Sequence, residues 1–539
     1  MRLWRLSIVT LVFGIAIMGF ARTTADPDLW GHLRFGLDLL ETGRVIRPDP
    51  YSYLTAGVTW VNHEWLAEAL MAIAWRAAGA FGAPAAATGL VLLKLTMVVA
   101  VVAIAYWHLL WRGLSAIAAG TIVLAYLPVL LPWLGAVRPQ MFTYACFALT
   151  LAVIARAEEG QPRMLWLLPP VFALWANLHG GFLAGGGICA LWLIARAVQR
   201  FFGGATSTWR DEAQRIWLPV IAAGFATLAT PYAGELWLFL RTALTPRLEI
   251  AEWNPIVATS PEGVAYIVLL TPTILGWIYS RREKRPVLLF LYLVAALLPL
   301  VARRHSPLFA LALVILAGEH MADAASRLFR RRAGGANTQA MQGGNDSHRE
   351  TDGDRDSDGL AASTPFAPPA WMSLTFLVMA FACLALAVPY VRQVIVDRES
   401  FPVEAVRLIA ASGIRTNLAT EFGWGEYVLW HVGPDVKVST DGRRETVYSD
   451  AAYEETLQFM YGYDRWDAVL DHAGVDLALV PTGTWPTFNL MRSKPGWTLI
   501  YRDDRSALFG RDGSPVNERV RAAHAAHPPA RAADELPFP

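Results

Sequence analysis

Residues 4–20 read Trp-Arg-Leu-Ser-Ile-Val-Thr-Leu-Val-Phe-Gly-Ile-Ala-Ile-Met-Gly-Phe, and six residues on come Asp26-Pro27-Asp28-Leu29-Trp30-Gly31-His32-Leu33-Arg34. The first string is apolar and sits behind Arg2 and Arg5. It is about long enough to cross a bilayer as a helix. The second sets two carboxylates directly beyond that helix. Thr23-Thr24-Ala25 would serve as a signal cleavage site, but an uncleaved helix anchors the polar segment and is the reading adopted.

Working outward, apolar runs recur at 86–111, 114–134, 140–156, 163–178, 181–199, 216–231, 264–280, 286–302, 305–320 and 371–391. With the first helix they give about 11 crossings. The 539 residues are 55% hydrophobic and 17% charged, against about 25% charged in soluble proteins; the mean hydropathy is +0.35. Lys+Arg at 46 balance Asp+Glu at 45, which excludes a nucleic-acid binder resting on a net basic field. Three cysteines, all in apolar runs, make no disulfide framework.

The fold class expected is a polytopic all-α membrane domain with a C-terminal soluble α/β domain. Residues 1–332 form the membrane domain, with a first external loop at 21–85 that is irregular to Asn62 and then an interfacial amphipathic helix. Residues 333–370 read as a disordered cytosolic linker, 371–391 as the last crossing, 392–515 as the external domain and 516–539 as a flexible tail. Strands are expected at Tyr427–Trp430, Val436–Ser439, Leu477–Val480, Thr498–Tyr501 and Ala507–Phe509, and helices at Ala451–Met460 and Trp466–Ala473. The Lys/Arg clusters Arg2/Arg5, Arg196–Arg200, Arg281–Arg285 and Arg327–Arg332 all fall inside with 11 crossings. The first loop and residues 392–539 then lie outside the plasma (inner) membrane, on its periplasmic or extracellular side.

That topology gathers the unusual polar strings at one mouth. They are Asp26/Asp28, His63-Glu64-Trp65, Arg138-Pro139-Gln140, Asn177-Leu178-His179-Gly180-Gly181, Thr230-Pro231-Tyr232, Glu252-Trp253-Asn254-Pro255 and Arg303-Arg304-His305. Polar groups beside hydrocarbon are costly and usually functional. A carboxylate there suits a general base, and arginines suit a phosphate. Lys94 lies ~12 Å down its helix, and an isolated cation at that depth wants an anion, such as a lipid phosphate. Structural readings stand beside these: Asp28 as a helix cap, the arginines as head-group anchors, Lys94 snorkelling. No spacing matches a zinc protease or a Walker, GxGxxG or GxSxG motif.

On these residues the chain resembles the GT-C superfamily of integral-membrane glycosyltransferases, which includes protein O-mannosyltransferases, aminoarabinose transferases and oligosaccharyltransferase catalytic subunits. Asp28-Leu29-Trp30-Gly31-His32-Leu33-Arg34, followed by Leu39-Leu40-Glu41-Thr42-Gly43, is similar to the DxxxxxR…G stretch after the first helix of oligosaccharyltransferase-type members. The strings Asp49-Pro50-Tyr51-Ser52-Tyr53, His63-Glu64-Trp65-Leu66, Arg138-Pro139-Gln140 and Val438-Ser439-Thr440-Asp441-Gly442-Arg443 resemble an uncharacterised bacterial branch. The resemblance implies a polyprenyl-phosphate-sugar donor and an external glycan, lipid or protein acceptor. Asp28 would be the catalytic carboxylate, with Asp26 its fallback. Arg34, His63, Glu64, Lys94, Arg138, His179, Arg303, Arg304 and His305 would bind substrate, and a divalent cation (Mg or Mn) would sit on Asp28 and Glu64. Asp441 and Arg443/Arg444 would contact the acceptor or brace the mouth. Glu426-Tyr427, after Gly423-Trp424-Gly425, echoes the acceptor motif of oligosaccharyltransferases. A transporter or flippase and a non-catalytic scaffold are the rival classes.

Overall fold

The structure, a computed structural model, describes residues 2–203, 208–243, 251–328, 368–444, 446–483, 486–526 and 535–539. Each of the eleven apolar runs is helical. Helices α1 (Arg2–Ala21), α4 (Ala86–Trp111), α5 (Ala116–Leu134), α6 (Gln140–Glu158) and α8 (Phe182–Phe201) are five of them, with Pro261–Tyr279, Arg303–Leu328 and Ala370–Val391. Among the described residues, these eight are long and apolar enough to cross a membrane. The other three are shorter or compound. A 3-10 turn Pro162–Leu167 runs into α7 (Leu168–Leu178), a π turn Ala213–Trp217 runs into Leu218–Ala226, and Pro286–Leu297 tightens to 3-10 at Leu298–Leu300. Proline explains the breaks, since each ring removes a donor from the helical ladder. The chain is a multi-pass membrane protein with a mixed domain attached. The expected linker falls largely at 329–367, outside the described residues.

The first loop is more ordered than its sequence suggests. Helix α2 (Leu29–Thr42) precedes α3 (Trp65–Gly79) and stops where Gly43 turns left-handed at φ 66°. A run of Gly and charged residues hid its apolar face. That face buries Leu29, Trp30, Leu33 and Phe35 against α3 and the external domain. Gly36 permits the contact, because a Cβ there would stand 2.1 Å from the carbonyl oxygen of Glu68.

The external domain carries a five-stranded sheet in the order β3-β2-β4-β6-β5. The strands are β2 (Thr416–Thr420), β3 (Val436–Val438), β4 (Val475–Pro481), β5 (Trp497–Arg502) and β6 (Ser506–Arg511). Strand β2 is parallel to β3 and β4, and β6 is antiparallel to β4 and β5. The first loop extends the sheet past β3: Tyr53 N–H donates to Val438 O and Val438 N–H to Tyr51 O. A second small sheet pairs β1 (Ile395–Asp397) with β7 (Glu535–Pro537), and Thr24 bridges Ile395.

Three expectations are corrected. Tyr427–Trp430 lies in a helix, Gly425–Val432, where Gly425 through Leu429 are all buried; a short continuous apolar run suits a buried helix as well as a buried strand. Trp466–Ala473 holds only the 3-10 turn Ala468–Leu470. The stretch at 516–539 is not a loose tail over its described part. Pro515–Ala526 is helical, burying Asn517, Val520 and Ala523, and Phe538 is buried against Trp30 and Trp75. Strand β2 went unread.

Candidate functional site

The site assembles where α1 ends and α5 hands over to α6. Lys94 makes the scaffold. Its ammonium donates to Arg22 O at 3.1 Å, Thr23 Oγ1 at 2.6 Å and Gly135 O at 2.9 Å. An ammonium has three protons, so all three are used, and the side chain is fully buried. Lys94 therefore does not face a phosphate. It bolts the exit of α1 to the end of α5, so Asp26 and Arg138, a few residues beyond each bolt, are brought face to face.

Arg138 Nη2 donates to Asp28 Oδ2 at 2.8 Å, its Nε lies 2.9 Å from Asp26 Oδ2, and its Nη1 lies 3.8 Å from Glu252. Burial alone would disfavour this guanidinium, but the fields of Asp26, Asp28 and Glu252 hold it firmly charged. Arg138 thus carries the carboxylates and is not a free phosphate ligand. Asp26 is pushed above its ordinary value by burial and by the charge of Asp28, against the pull of Arg138. Arg304 Nη1 lies 3.8 Å from Glu252 and its guanidinium stacks on Trp253 at 4.3 Å. Arg303 adjoins it, its backbone N–H bonded to Asn254 O.

Beside this group, three imidazoles surround one carboxylate. His32, His63 and His179 approach Glu64 at 3.9, 3.7 and 3.5 Å. His32 also bonds Glu68 at 3.2 Å, and Asn62 donates to the other Glu68 oxygen at 2.5 Å. Burial works against charge on His32, but the bond to Glu68 and the field of Glu64 raise it to about 9. Burial lowers His63 to about 4. His179 is held well below its usual value by burial and by neighbouring cationic groups. Its tautomer follows from its partners. Gly181 N–H donates to Nδ1 at 2.8 Å, so the proton sits on Nε2, the nitrogen facing Glu64.

Facing His32, Glu64 and Glu68 place one ligand atom each within 4.8 Å of one another. One imidazole and two carboxylates fit a divalent ion, and a protonated His32 now supplies the positive charge among them. Asp28 is outside that trio, because Arg138 takes one of its oxygens. The expected pairing of Asp28 with Glu64 on a metal shares only Glu64 with this group. Two further residues leave the site. Arg34 pairs with Asp38 at 3.0 Å, which also accepts from Tyr51. His305 Nδ1 is engaged with Leu298 O at 3.3 Å.

The external domain closes the site rather than hanging from it. Arg443 binds Asp441 through two nitrogens, at 2.9 and 2.7 Å, and Asp49 at 2.9 Å. Phe35, Tyr51 and Trp60 ring the guanidinium at 4.7–5.1 Å. Arg444 is buried over Tyr453. These residues brace the mouth. Glu426 reaches farther, accepting Gly31 N–H at 3.1 Å across 395 residues of sequence. Sequence reasoning missed His32, Glu68 and the position of Glu426. The first two needed α2 and α3 to be seen as packed helices; the third needed the docking of the external domain.

No family model matches the chain, and no curated protein matches it in sequence. In structure it is similar to the oligosaccharyltransferase of Archaeoglobus fulgidus in its apo form, with TM-score 0.54 and 12% identity over 97% of this chain and 78% of that one. ArnT from Cupriavidus metallidurans, solved with undecaprenyl phosphate bound, gives 0.47 at 12% identity over 94% and 97%. The likeness to the oligosaccharyltransferase is one of fold.

Proposed function

We propose that this protein is a membrane glycosyltransferase that moves a sugar from a polyprenyl-phosphate-linked donor to an external acceptor, with Asp28 as general base. One observation carries the reading: Asp28, 30% exposed in its side chain, stands at a helix mouth with one oxygen fixed by Arg138, and Arg138 shares Glu252 with Arg304. A fold shared with an oligosaccharyltransferase supports it.

In this reading the acceptor hydroxyl gives its proton to Asp28 as its oxygen bonds to the sugar's anomeric carbon. The bond from that carbon to the phosphate oxygen breaks, and the lipid phosphate leaves with the electron pair. Arg303 and Arg304 balance the charge that develops on it. Attack opposite the leaving group inverts the anomeric centre. His32, Glu64 and Glu68 would hold a divalent ion, Mg or Mn, which would supply further positive charge beside the phosphate. His179, a neutral donor, would orient a sugar hydroxyl.

A transporter would set its polar groups near the bilayer midplane on broken helices. Here the acidic cluster lies at one end of the bundle. A scaffold has no use for an accessible carboxylate held by a half-buried arginine. The test is mass spectrometry of envelope glycans and glycolipids from cells with and without the protein. A sugar substituent that disappears with the protein supports the reading, and identical profiles sink it.

A further inference from the structure

Glu426 is a buried carboxyl with an unusual setting. It stands at the start of the helix Gly425–Val432, is 3% exposed, and crosses from the external domain into the first loop. Two glycines make room for it. A Cβ on Gly31 would stand 2.1 Å from its carboxyl carbon, and one on Gly442 would stand 2.7 Å from its Oε1 and 2.5 Å from Asp28 Oδ1. The two carboxyls therefore flank the same point and are neighbours. Among the described residues, no cation lies within ion-pair distance of Glu426.

Each oxygen has a distinct task. Oε2 accepts the Gly31 N–H, and Arg138 occupies Asp28 Oδ2. That leaves Glu426 Oε1 and Asp28 Oδ1 on the same point beside Gly442. Two ionised carboxylates so placed, in a buried setting, would repel strongly; one proton between them removes the conflict. We propose that Glu426 is a positioning residue of the site: as a neutral carboxylic acid it donates a hydrogen bond to Asp28 Oδ1 and fixes the orientation of that carboxylate, so that the external domain completes the base.

The groups facing Glu426 agree with this. Asp28 and Asp26 lie on the first-loop side, and Asp441 and Arg443 on the turn after β3. Arg443 is committed to Asp441 and Asp49. Burial first, then the fields of Asp28 and Asp441, hold Glu426 well above the usual carboxylate range.

The inference rests on Asp28 being the base of the proposed transferase, but its test needs no substrate. Infrared pH titration of the full-length protein in nanodiscs reads the carbonyl stretch of protonated carboxyls. At neutral pH the wild type should show a band that Glu426→Gln removes. In Asp28→Asn, where the neighbouring charge is gone, the midpoint of that band should fall by about one pH unit or more. The Asp28→Asn arm stands alone if Glu426→Gln does not fold. An unchanged band in Glu426→Gln, or an unmoved midpoint in Asp28→Asn, overturns the inference. Where sugar transfer is measurable, Glu426→Gln should lose the alkaline fall that ionisation of Glu426 imposes on the wild type. A purely structural role predicts identical pH profiles. Failure to find any sugar transfer would sink the transferase reading and leave the infrared result intact.

Discussion

The two ends of helix α5 are both charged, and they are built on opposite plans. Before it, Arg112 is gripped by Glu159 and Glu319 while Arg282 bonds Glu319 at 2.8 Å. Nearby, Arg196 bonds Glu158 and Glu212 at 2.6 and 2.7 Å. There arginines and carboxylates interlock. Beyond α5, Arg138 faces Asp26, Asp28 and Glu252, while Glu64, Glu68 and Glu426 crowd behind with imidazoles between them. The structural network is close to balance, with three arginines to four glutamates. A surplus of carboxylate, partly open to solvent, is kept where a proton or a cation is to be handled. That difference, more than the presence of charge, marks the functional end.

The largest effect expected bears on how the open end is held shut. Replacing Arg443 with Met strands Asp49 and Asp441, both fully buried in their side chains. Losing one partner of such a group costs about 3–5 kcal/mol. Folded yield should collapse, and limited proteolysis should release the external domain; an unchanged digestion pattern would mean the cage is idle. Glu319→Ala makes the matching break at the interlocked end, taking the carboxylate from Arg282 and leaving Arg112 with Glu159 alone, at a cost of about 3 kcal/mol. Thermal unfolding should register it, with activity per folded molecule unaltered.

Lys94→Met sharpens the comparison from inside the membrane. Three acceptors lose a charged donor, about 1–3 kcal/mol, so the melting temperature should drop while the KM for the lipid donor stays the same. A raised KM at unchanged melting temperature would return Lys94 to the phosphate. The smallest effect concerns the metal. Mn(II) binding to the full-length protein, followed by electron paramagnetic resonance, should weaken at least ~10-fold in Glu68→Gln and His32→Gln. Equal binding in both variants would remove the ion from the His32–Glu64–Glu68 trio.

Much of this was legible in the sequence, for uneven reasons. Hydrophobic length marked the eleven helical runs, because a bilayer imposes it. Asp28, Arg138, His179 and Arg304 were legible because each sits just outside such a run, and helix ends alternate between two faces; Glu64 was legible as part of the first external loop. Lys94 misled because sequence displays the apolar surroundings of a charge but not the two carbonyls and the hydroxyl that the ends of α1 and α5 supply. Helix α2 was obscured by glycines, whose value here is close packing rather than flexibility. Glu426 lay beyond local reading, since its meaning depends on Gly31 and Gly442 meeting from opposite ends of the chain.

The central claim is tested most directly by assaying transfer of a labelled sugar from polyprenyl-phosphate donors with purified wild type, Asp28→Asn and Glu319→Gln. The account predicts that Asp28→Asn folds and inserts normally yet loses transfer by ~10²–10⁴-fold, whereas Glu319→Gln retains it per folded molecule. Full turnover in Asp28→Asn, or an equal loss in both variants, would contradict it.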